Sequence, residues 1–253
     1  MSKMKVLVAG SALGAAMLAG PLAAATTGTV AVTSEYTFRG IDSENGAAVQ
    51  GSLDWSDSGL YAGAWASNAN VAGGNELDIY GGYKFPLMEG VELDVGGIYY
   101  IFTEDKDESG LAFDLNYPEI YAGVNIGGFS AKVYYTNDFF GVEGQTLPSG
   151  NQAEGTSTYV NVAYTHTIEE GLTLKGAVGS QSGDGADEFI GDSVTDYSLT
   201  LTKALENSFS VSFGAVGTDL DLAGTEDSVF GATPATFEDD VKFVVTLAKG
   251  FEI

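Results

Sequence analysis

Strict alternation of apolar and polar residues recurs along this chain and limits the folds that it can adopt. In residues 76–85, Leu77 and Ile79 fall on one face of an extended strand, whereas Glu76 and Asp78 fall on the other. A period of two residues indicates strands with two unlike faces rather than amphipathic helices. The same alternation is present in residues 29–38, 91–99 and 241–253.

Segments of this kind predict an all-β chain, and most of them are long enough for a tilted strand to cross a bilayer. The weakest is residues 59–68, whose orientation the pattern leaves open because alanines alternate there with Tyr61, Gly63 and Trp65. The twelve predicted strands lie near residues 29–39, 46–55, 59–68, 75–85, 91–103, 117–127, 129–140, 158–168, 172–181, 194–205, 209–219 and 239–253.

The connections between these segments alternate in length. Short turns are expected at residues 56–58, 86–90, 127–128, 169–171 and 206–208, and long polar loops at 40–45, 69–74, 104–116, 141–157, 182–193 and 220–238. An even number of strands with long loops on one rim and short turns on the other is typical of outer-membrane β-barrels. A soluble β-sandwich also has alternating strands, but it does not require every second connection to be long. We therefore expect a 12-stranded antiparallel transmembrane β-barrel.

The cost of charge in lipid decides which face points outward. Lys or Arg at the bilayer midplane costs about 2–4 kcal/mol on the lipid face of a barrel, so the apolar face is predicted to meet lipid. Aromatic residues near the strand ends are expected to form interfacial girdles, with scattered core aromatics as the alternative: Tyr36, Phe38, Tyr83, Phe85, Phe139, Phe140 and Phe209. The predicted interior is ionic and net acidic, and it contains Glu35, Arg39, Gln50, Asp54, Glu76, Asp78, Lys84, Glu92, Asp94, Glu119, Lys132, Asp138, Lys175, Asp196 and Lys242.

The N-terminus reads as a cleavable signal peptide. Two lysines precede an apolar stretch of small residues, and Pro21 stands before three alanines that end at Ala25. An N-terminal membrane anchor is the alternative, but the apolar stretch is too short for a spanning helix. We expect a signal peptide over residues 1–25 and one barrel domain over residues 26–253.

Composition excludes several function classes. An excess of 35 Asp and Glu over 10 Lys and Arg argues against a nucleic-acid partner. With no cysteine, one histidine (His166) and no serine in a G-x-S-x-G frame, the chain is not expected to be an enzyme or to hold a cofactor, zinc or haem. The acidic segments 104–108 and 183–188 lack EF-hand spacing, so we interpret them as solvated loops rather than Ca²⁺ sites.

Four sequence blocks carry a resemblance to a known family. They are VTSEYTFRG at residues 32–40 followed by Gln50-Gly51, GLYAGAWASN at 59–68, ELDIYGGY at 76–83 and NYPEIYAG at 116–123. In order and spacing they resemble the TorF family of proteobacterial porins, specifically over residues 30–125. The resemblance implies a Gram-negative outer-membrane porin and brings no catalytic or ligand residues.

Twelve strands leave a narrow pore or a partly plugged lumen. We expect passive diffusion of small hydrophilic solutes or ions with a mild preference for cations, in a barrel that contacts outer-membrane lipid and lipopolysaccharide, with a monomer as the default. A lumen plugged by its own charge pairs, or an adhesive or structural barrel with partner-binding loops at 141–157 and 220–238, is the alternative. The candidate pore-lining residues are Glu35, Arg39, Gln50, Glu76, Asp78, Tyr80, Glu119, Tyr121 and Lys132.

Overall fold

Antiparallel strands that close on themselves form the body of the protein. The computed structural model describes residues 24–42, 46–69, 74–103, 114–146, 150–191, 193–219 and 241–253. The elements are β1 (Ala25–Thr33), β2 (Thr37–Phe38), β3 (Ile41–Asp42), β4 (Ala48–Asp57), β5 (Leu60–Ser67), β6 (Asn75–Met88), β7 (Val91–Thr103), β8 (Tyr117–Ile126), β9 (Phe129–Thr136), β10 (Ser157–Glu169), β11 (Leu172–Ser182), α1 (Asp184–Phe189), β12 (Val194–Ala204), β13 (Phe209–Thr218) and β14 (Lys242–Glu252).

Twelve of the strands form one closed barrel, which confirms the predicted fold class. Each long strand pairs with its neighbours in sequence, and β1 closes the sheet by pairing with both β14 and β4. At the end of β1, Thr33 lies opposite Thr246 of β14 and opposite Ala48 of β4. Closure leaves no unpaired sheet edge in the wall.

The outward face of the barrel is apolar on every side. Val30, Leu53, Ile79, Phe213 and Leu247, from five different strands, are each about half exposed on the outer surface, where a water-soluble protein would bury them. The strand alternation predicted this face. Among the described residues, no helix combines the length and the apolar character needed to cross a membrane.

The structure settles the orientation of the third predicted strand, now β5. Tyr61 and Trp65 point into the barrel, and the alanines between them point outward. Tyr61 is fixed in this orientation because its hydroxyl donates to Asp94 on β7 at 2.6 Å. A buried phenol needs such a partner, whereas alanine is compatible with either face.

The short turns have the backbone geometry that they require. Between β4 and β5, Ser58 and Gly59 both have positive φ (+50° and +90°), as a two-residue hairpin turn demands. A Cβ on Gly59 would lie 2.3 Å from the carbonyl oxygen of Lys84, so glycine is needed here for space as well as for conformation.

Four predictions about the long-loop rim of the barrel, which we call the outer rim, were wrong. The first strand ends at Thr33 instead of continuing to residue 39, and β9 ends at Thr136 instead of at residue 140. Residues 184–188 belong to α1 instead of a loop, and Ala186 and Phe189 of this helix are buried, whereas Asp184 and Asp187 are solvent-exposed as predicted. The predicted aromatic girdle is wrong at Tyr36, Phe38, Phe139 and Phe140, which are all at most 3% exposed.

Other predictions lie partly or wholly outside the described residues. The signal peptide is one of these, since the description begins at residue 24 and β1 begins at Ala25. The acidic segment 104–108 and the whole of the loop at 220–238 also lie outside it.

Candidate functional site

A short hairpin folds from the outer rim into the barrel lumen. We call residues 34–42 the plug hairpin; they comprise β2, β3 and a turn at Arg39 and Gly40. Both turn residues have positive φ (+48° and +82°), the geometry of a two-residue turn that glycine favours. A Cβ on Gly40 would lie 2.5 Å from the Cβ of Asp196 on β12, so the turn is packed against the barrel wall.

Aromatic side chains fill the outer end of the lumen around this hairpin. Phe38 packs edge-on against Tyr100 and against Phe140, with ring centroids 5.9 Å apart in each pair. Phe140 stacks on Phe189 of α1 at 3.9 Å. Barrel wall, plug hairpin and two outer loops thus share one dry cluster. We call it the aromatic cap, and its rings are Phe38, Tyr100, Phe102, Tyr117, Phe139, Phe140 and Phe189.

Arg39 anchors the tip of the plug hairpin to the far wall of the barrel. Its Nη2 donates to Oε2 of Glu119 at 2.5 Å, and its Nη1 donates to the side chain of Gln181. The guanidinium also lies over the ring of Tyr159, 4.2 Å from its centroid. Burial lowers the pKa of Arg39, whereas the adjacent Glu119 carboxylate raises it. The net result is a pKa above the ordinary value of arginine. The anchor is therefore a charged pair, with side chains 8% and 1% exposed.

Five tyrosines line the lumen beneath the cap, and three of them donate hydrogen bonds to aspartates. Tyr159 donates to Asp196 at 2.9 Å, Tyr80 donates to Asp54, and Tyr61 shares a hydroxyl contact with Tyr121. We call this set the tyrosine layer. Its rings come from five strands and are Tyr61, Tyr80, Tyr121, Tyr134 and Tyr159.

Inward glycines make room for the rings of the tyrosine layer. A Cβ on Gly82 would lie 2.4 Å from the Tyr61 hydroxyl, and a Cβ on Gly96 would lie 2.5 Å from the Tyr121 hydroxyl. These distances are far below van der Waals contact. The rings therefore lie flat against wall positions that have no side chain.

Below the tyrosine layer, toward the short turns, the lumen is polar and more open. Lys84, Glu92, Asn125 and Lys175 face inward there and are all partly exposed. The described lumen therefore has a dry, filled outer end and a wetter, ionic inner end.

Seven of the nine candidate pore-lining residues lie on barrel strands and point inward. They are Gln50, Glu76, Asp78, Tyr80, Glu119, Tyr121 and Lys132. The other two do not lie on the wall: Arg39 is the plug-hairpin tip, and Glu35 precedes β2, where it accepts a hydrogen bond from the Gly46 amide at 3.0 Å. Both residues follow Thr33, where β1 ends, although the predicted strand continues to residue 39.

The structure brings only some of these candidates together. Arg39 meets Glu119, and Lys132 lies 4.3 Å from the ring centroid of Tyr121 while it bonds to Asp94 at 2.8 Å. Asp138, predicted to lie inside, belongs to the loop after β9. His166 is exposed on β10, near the short-turn rim.

Sequence reasoning missed the plug hairpin and the partners of Arg39. The dipeptide Arg39-Gly40 was the available signal. Two residues that include a glycine, placed between short apolar segments, are typical of a hairpin turn. Tyr36 and Phe38 continue the apolar alternation of β1, so the sequence pattern extends the strand through the hairpin.

Comparisons with solved structures find porins with the same architecture. The NanC porin is 11% identical, with a TM-score of 0.55, over 89% of this chain and 99% of that chain. The KdgM porin is 8% identical, with a TM-score of 0.53 and the same coverage. At such identities the likeness concerns the fold alone.

Comparisons of sequence place the chain in a family without a known activity. No curated protein matches it. Residues 18–251 match a family described as a bacterial protein of unknown function, Gcw_chp. Because that match spans almost the whole sequence, the chain belongs to the Gcw_chp family.

Proposed function

We propose that this protein is an outer-membrane barrel that forms a narrow channel for small hydrophilic solutes or ions, with the plug hairpin as its constriction. The observation that carries the proposal is the contrast between the two faces of the wall. The outward face exposes apolar side chains, whereas the inward face holds charged ones such as Asp54, Lys84 and Lys175. This arrangement suits a wall with lipid outside and water inside. The resemblance of residues 30–125 to TorF porins supports the same function.

Export and membrane partners follow from this proposal. A signal peptide over residues 1–25 would direct the chain across the inner membrane. The apolar outer surface would then contact outer-membrane lipid and lipopolysaccharide, with long loops outside and short turns on the periplasmic rim. A monomer is the default assembly.

The charge of the lumen favours cations. Acidic side chains on the inward face outnumber basic ones, and fixed lumen charges attract ions of opposite sign. The acids are Asp54, Glu76, Asp78, Glu92, Asp94, Glu119 and Asp196, against Lys84, Lys132, Lys175 and Lys242 on the wall and Arg39 on the plug hairpin.

The plug hairpin would set the width of the path. It enters a lumen whose outer end is otherwise framed by the aromatic cap, and its tip is held by Arg39 contacts to Glu119 and Gln181. These contacts are not covalent. A displaced plug hairpin would open the outer end, whereas a seated one would keep the conductance low.

Planar-bilayer recording tests the channel and the role of Arg39 together. The Arg39→Gln variant removes the charge that holds the tip to Glu119, so we expect larger or more frequent conductance steps than in the wild type. A salt gradient across the bilayer should give a reversal potential of the sign produced by cation selectivity.

The matched control is Lys203→Gln, which breaks the exposed ion pair with Glu169 near the short-turn rim. This variant should conduct like the wild type. If neither the wild type nor Arg39→Gln shows conductance steps after folding is verified, the channel proposal is wrong.

A structural or adhesive barrel is the second candidate, and the filled outer lumen favours it. Tyr117, Phe139 and Phe140 are at most 1% exposed, as in a protein core. A variant in which a Gly-Ser linker replaces residues 35–42 separates the two functions. A channel gains conductance from that change, whereas a structural barrel stays electrically silent.

A further inference from the structure

Two buried carboxylates in the outer lumen lack a balancing charge. Glu76 and Asp78 are two residues apart on β6 and share its inward face, and they are 2% and 0% exposed. Within the described ranges, no basic side chain lies within ion-pair distance of either carboxylate. Arg39 pairs with Glu119, and Lys132 pairs with Asp94.

Asp78 also lacks a hydrogen-bond donor, since the side chain that it faces is the carboxylate of Glu76. Neither of its carboxylate oxygens has a hydrogen-bond partner, and the buried hydroxyl of Tyr117 has none either. Tyr117 and Asp78 belong to one row across the sheet, since Asp78 is in register with Tyr100 and Tyr100 with Tyr117. Buried polar atoms without a partner are costly, and a bound ion removes that cost.

Oxygen atoms dominate the surroundings of the two carboxylates. The Tyr36 hydroxyl donates to Glu76 and lies near Asp78, and Tyr117 lies near the carboxylate of Glu119 as well as those of Glu76 and Asp78. Carboxylate and hydroxyl oxygens are hard donors, which suit Ca²⁺ better than zinc or copper. Trp65 is in register with Asp78 on the neighbouring strand, and its ring centroid lies 6.3 Å from that of Tyr36.

We propose that Glu76 and Asp78 form a Ca²⁺ site inside the outer lumen, completed by the hydroxyl of Tyr117. One divalent cation balances the two carboxylate charges and supplies the missing partner of Asp78. The described residues contain no group of three acidic or histidine side chains suited to a metal, so neutral oxygens complete the coordination. Through Tyr36, which donates to Glu76, the ion would fasten the plug hairpin to β6.

Terbium luminescence provides a direct test, because Tb³⁺ replaces Ca²⁺ and is sensitised by a nearby indole. The probe is Tb³⁺ added to the full chain after removal of residues 1–25, folded in detergent micelles. The wild type should give saturable emission with one ion per chain, and excess Ca²⁺ should displace it. With excitation at the red edge of tryptophan absorption, where tyrosine contributes little, Trp65→Phe should lose most of the emission and keep Ca²⁺ binding in calorimetry.

The site variants are Asp78→Asn and Glu76→Gln, which keep the side-chain shape and remove a charge. Each should weaken Ca²⁺ binding by about tenfold or more, by analogy with other metal-site substitutions. Glu206→Gln, an exposed acid on a short turn, is the control and should bind like the wild type. Circular dichroism checks that each variant folds, and wild-type urea unfolding with and without Ca²⁺ gives a second readout.

Three outcomes would overturn the proposal. The first is the absence of saturable Tb³⁺ emission from folded wild type. The second is binding that survives Asp78→Asn, which would place the ion on other acidic segments. The third is a urea midpoint that rises on acidification and is unchanged by Ca²⁺, which would show that the carboxyl pair holds a proton instead.

Discussion

Single glycines on the inward face of the wall decide where tyrosine rings can lie. Gly179 on β11 shows this most clearly, because a Cβ there would be 2.1 Å from the Tyr159 hydroxyl and 2.3 Å from Oδ2 of Asp196. Those two atoms are hydrogen-bonded to each other. A methyl group at this position must therefore displace the pair.

We predict that Gly179→Ala destabilises the barrel by about 1–3 kcal/mol, the usual cost of overpacking. Urea unfolding of the folded protein in detergent measures the change. Gly176→Ala on the same strand is the control, since its Cβ would meet nothing closer than Leu199 at 3.9 Å. Equal losses for both variants would refute this role of Gly179.

Among the elements, the barrel strands were predictable and the plug hairpin was not. The sequence of a strand such as β6 is enough to predict its orientation, because Leu77 and Ile79 must face lipid when Glu76 and Asp78 face the lumen. In the plug hairpin, Tyr36 and Phe38 are apolar whether they meet lipid or the aromatic cap. Only contacts distant in sequence, such as Arg39 with Glu119, decide between these environments.

The aromatic cap depends on the element that follows β9. Phe140 lies in a 3₁₀ turn (Phe139–Gly141), is 1% exposed and stacks on Phe189. We predict that Phe140→Ala lowers the free energy of unfolding by about 3–5 kcal/mol, as expected for a buried aromatic ring. Urea unfolding measures the loss.

The comparison variant for this element is Phe243→Ala. Phe243 is 81% exposed on the outward face of β14, so its truncation creates no cavity. A Phe140→Ala variant as stable as Phe243→Ala would show that the cap does not hold the loop.

At the scale of the whole molecule, a closed wall with one apolar and one polar face accounts for most of the alternation in the sequence. Alternation of period two predicts which residues share a face, and the cost of charge in lipid predicts which face points outward. The same pattern does not predict how the lumen is filled. The plug hairpin, the aromatic cap and the tyrosine layer depend on contacts between strands that are distant in sequence. The sequence predicts an ionic interior and allows a partly plugged lumen, but it does not predict that aromatic rings fill the outer end.

The chain contains two tryptophans, and they lie on opposite faces of the wall. Trp55 on β4 is 42% exposed on the outer surface, and Trp65 on β5 packs inside against Tyr36. Single-tryptophan variants, Trp65→Phe and Trp55→Phe, therefore report the two environments separately. Both keep an aromatic ring at the substituted position.

Fluorescence quenching of these two variants by brominated acyl chains, after folding into lipid vesicles, tests the account most directly. It predicts strong quenching of Trp55 and weak quenching of Trp65, because only the outward face touches lipid. Equal quenching of both, stronger quenching of Trp65, or a folded chain that stays in solution without vesicles or detergent would contradict it.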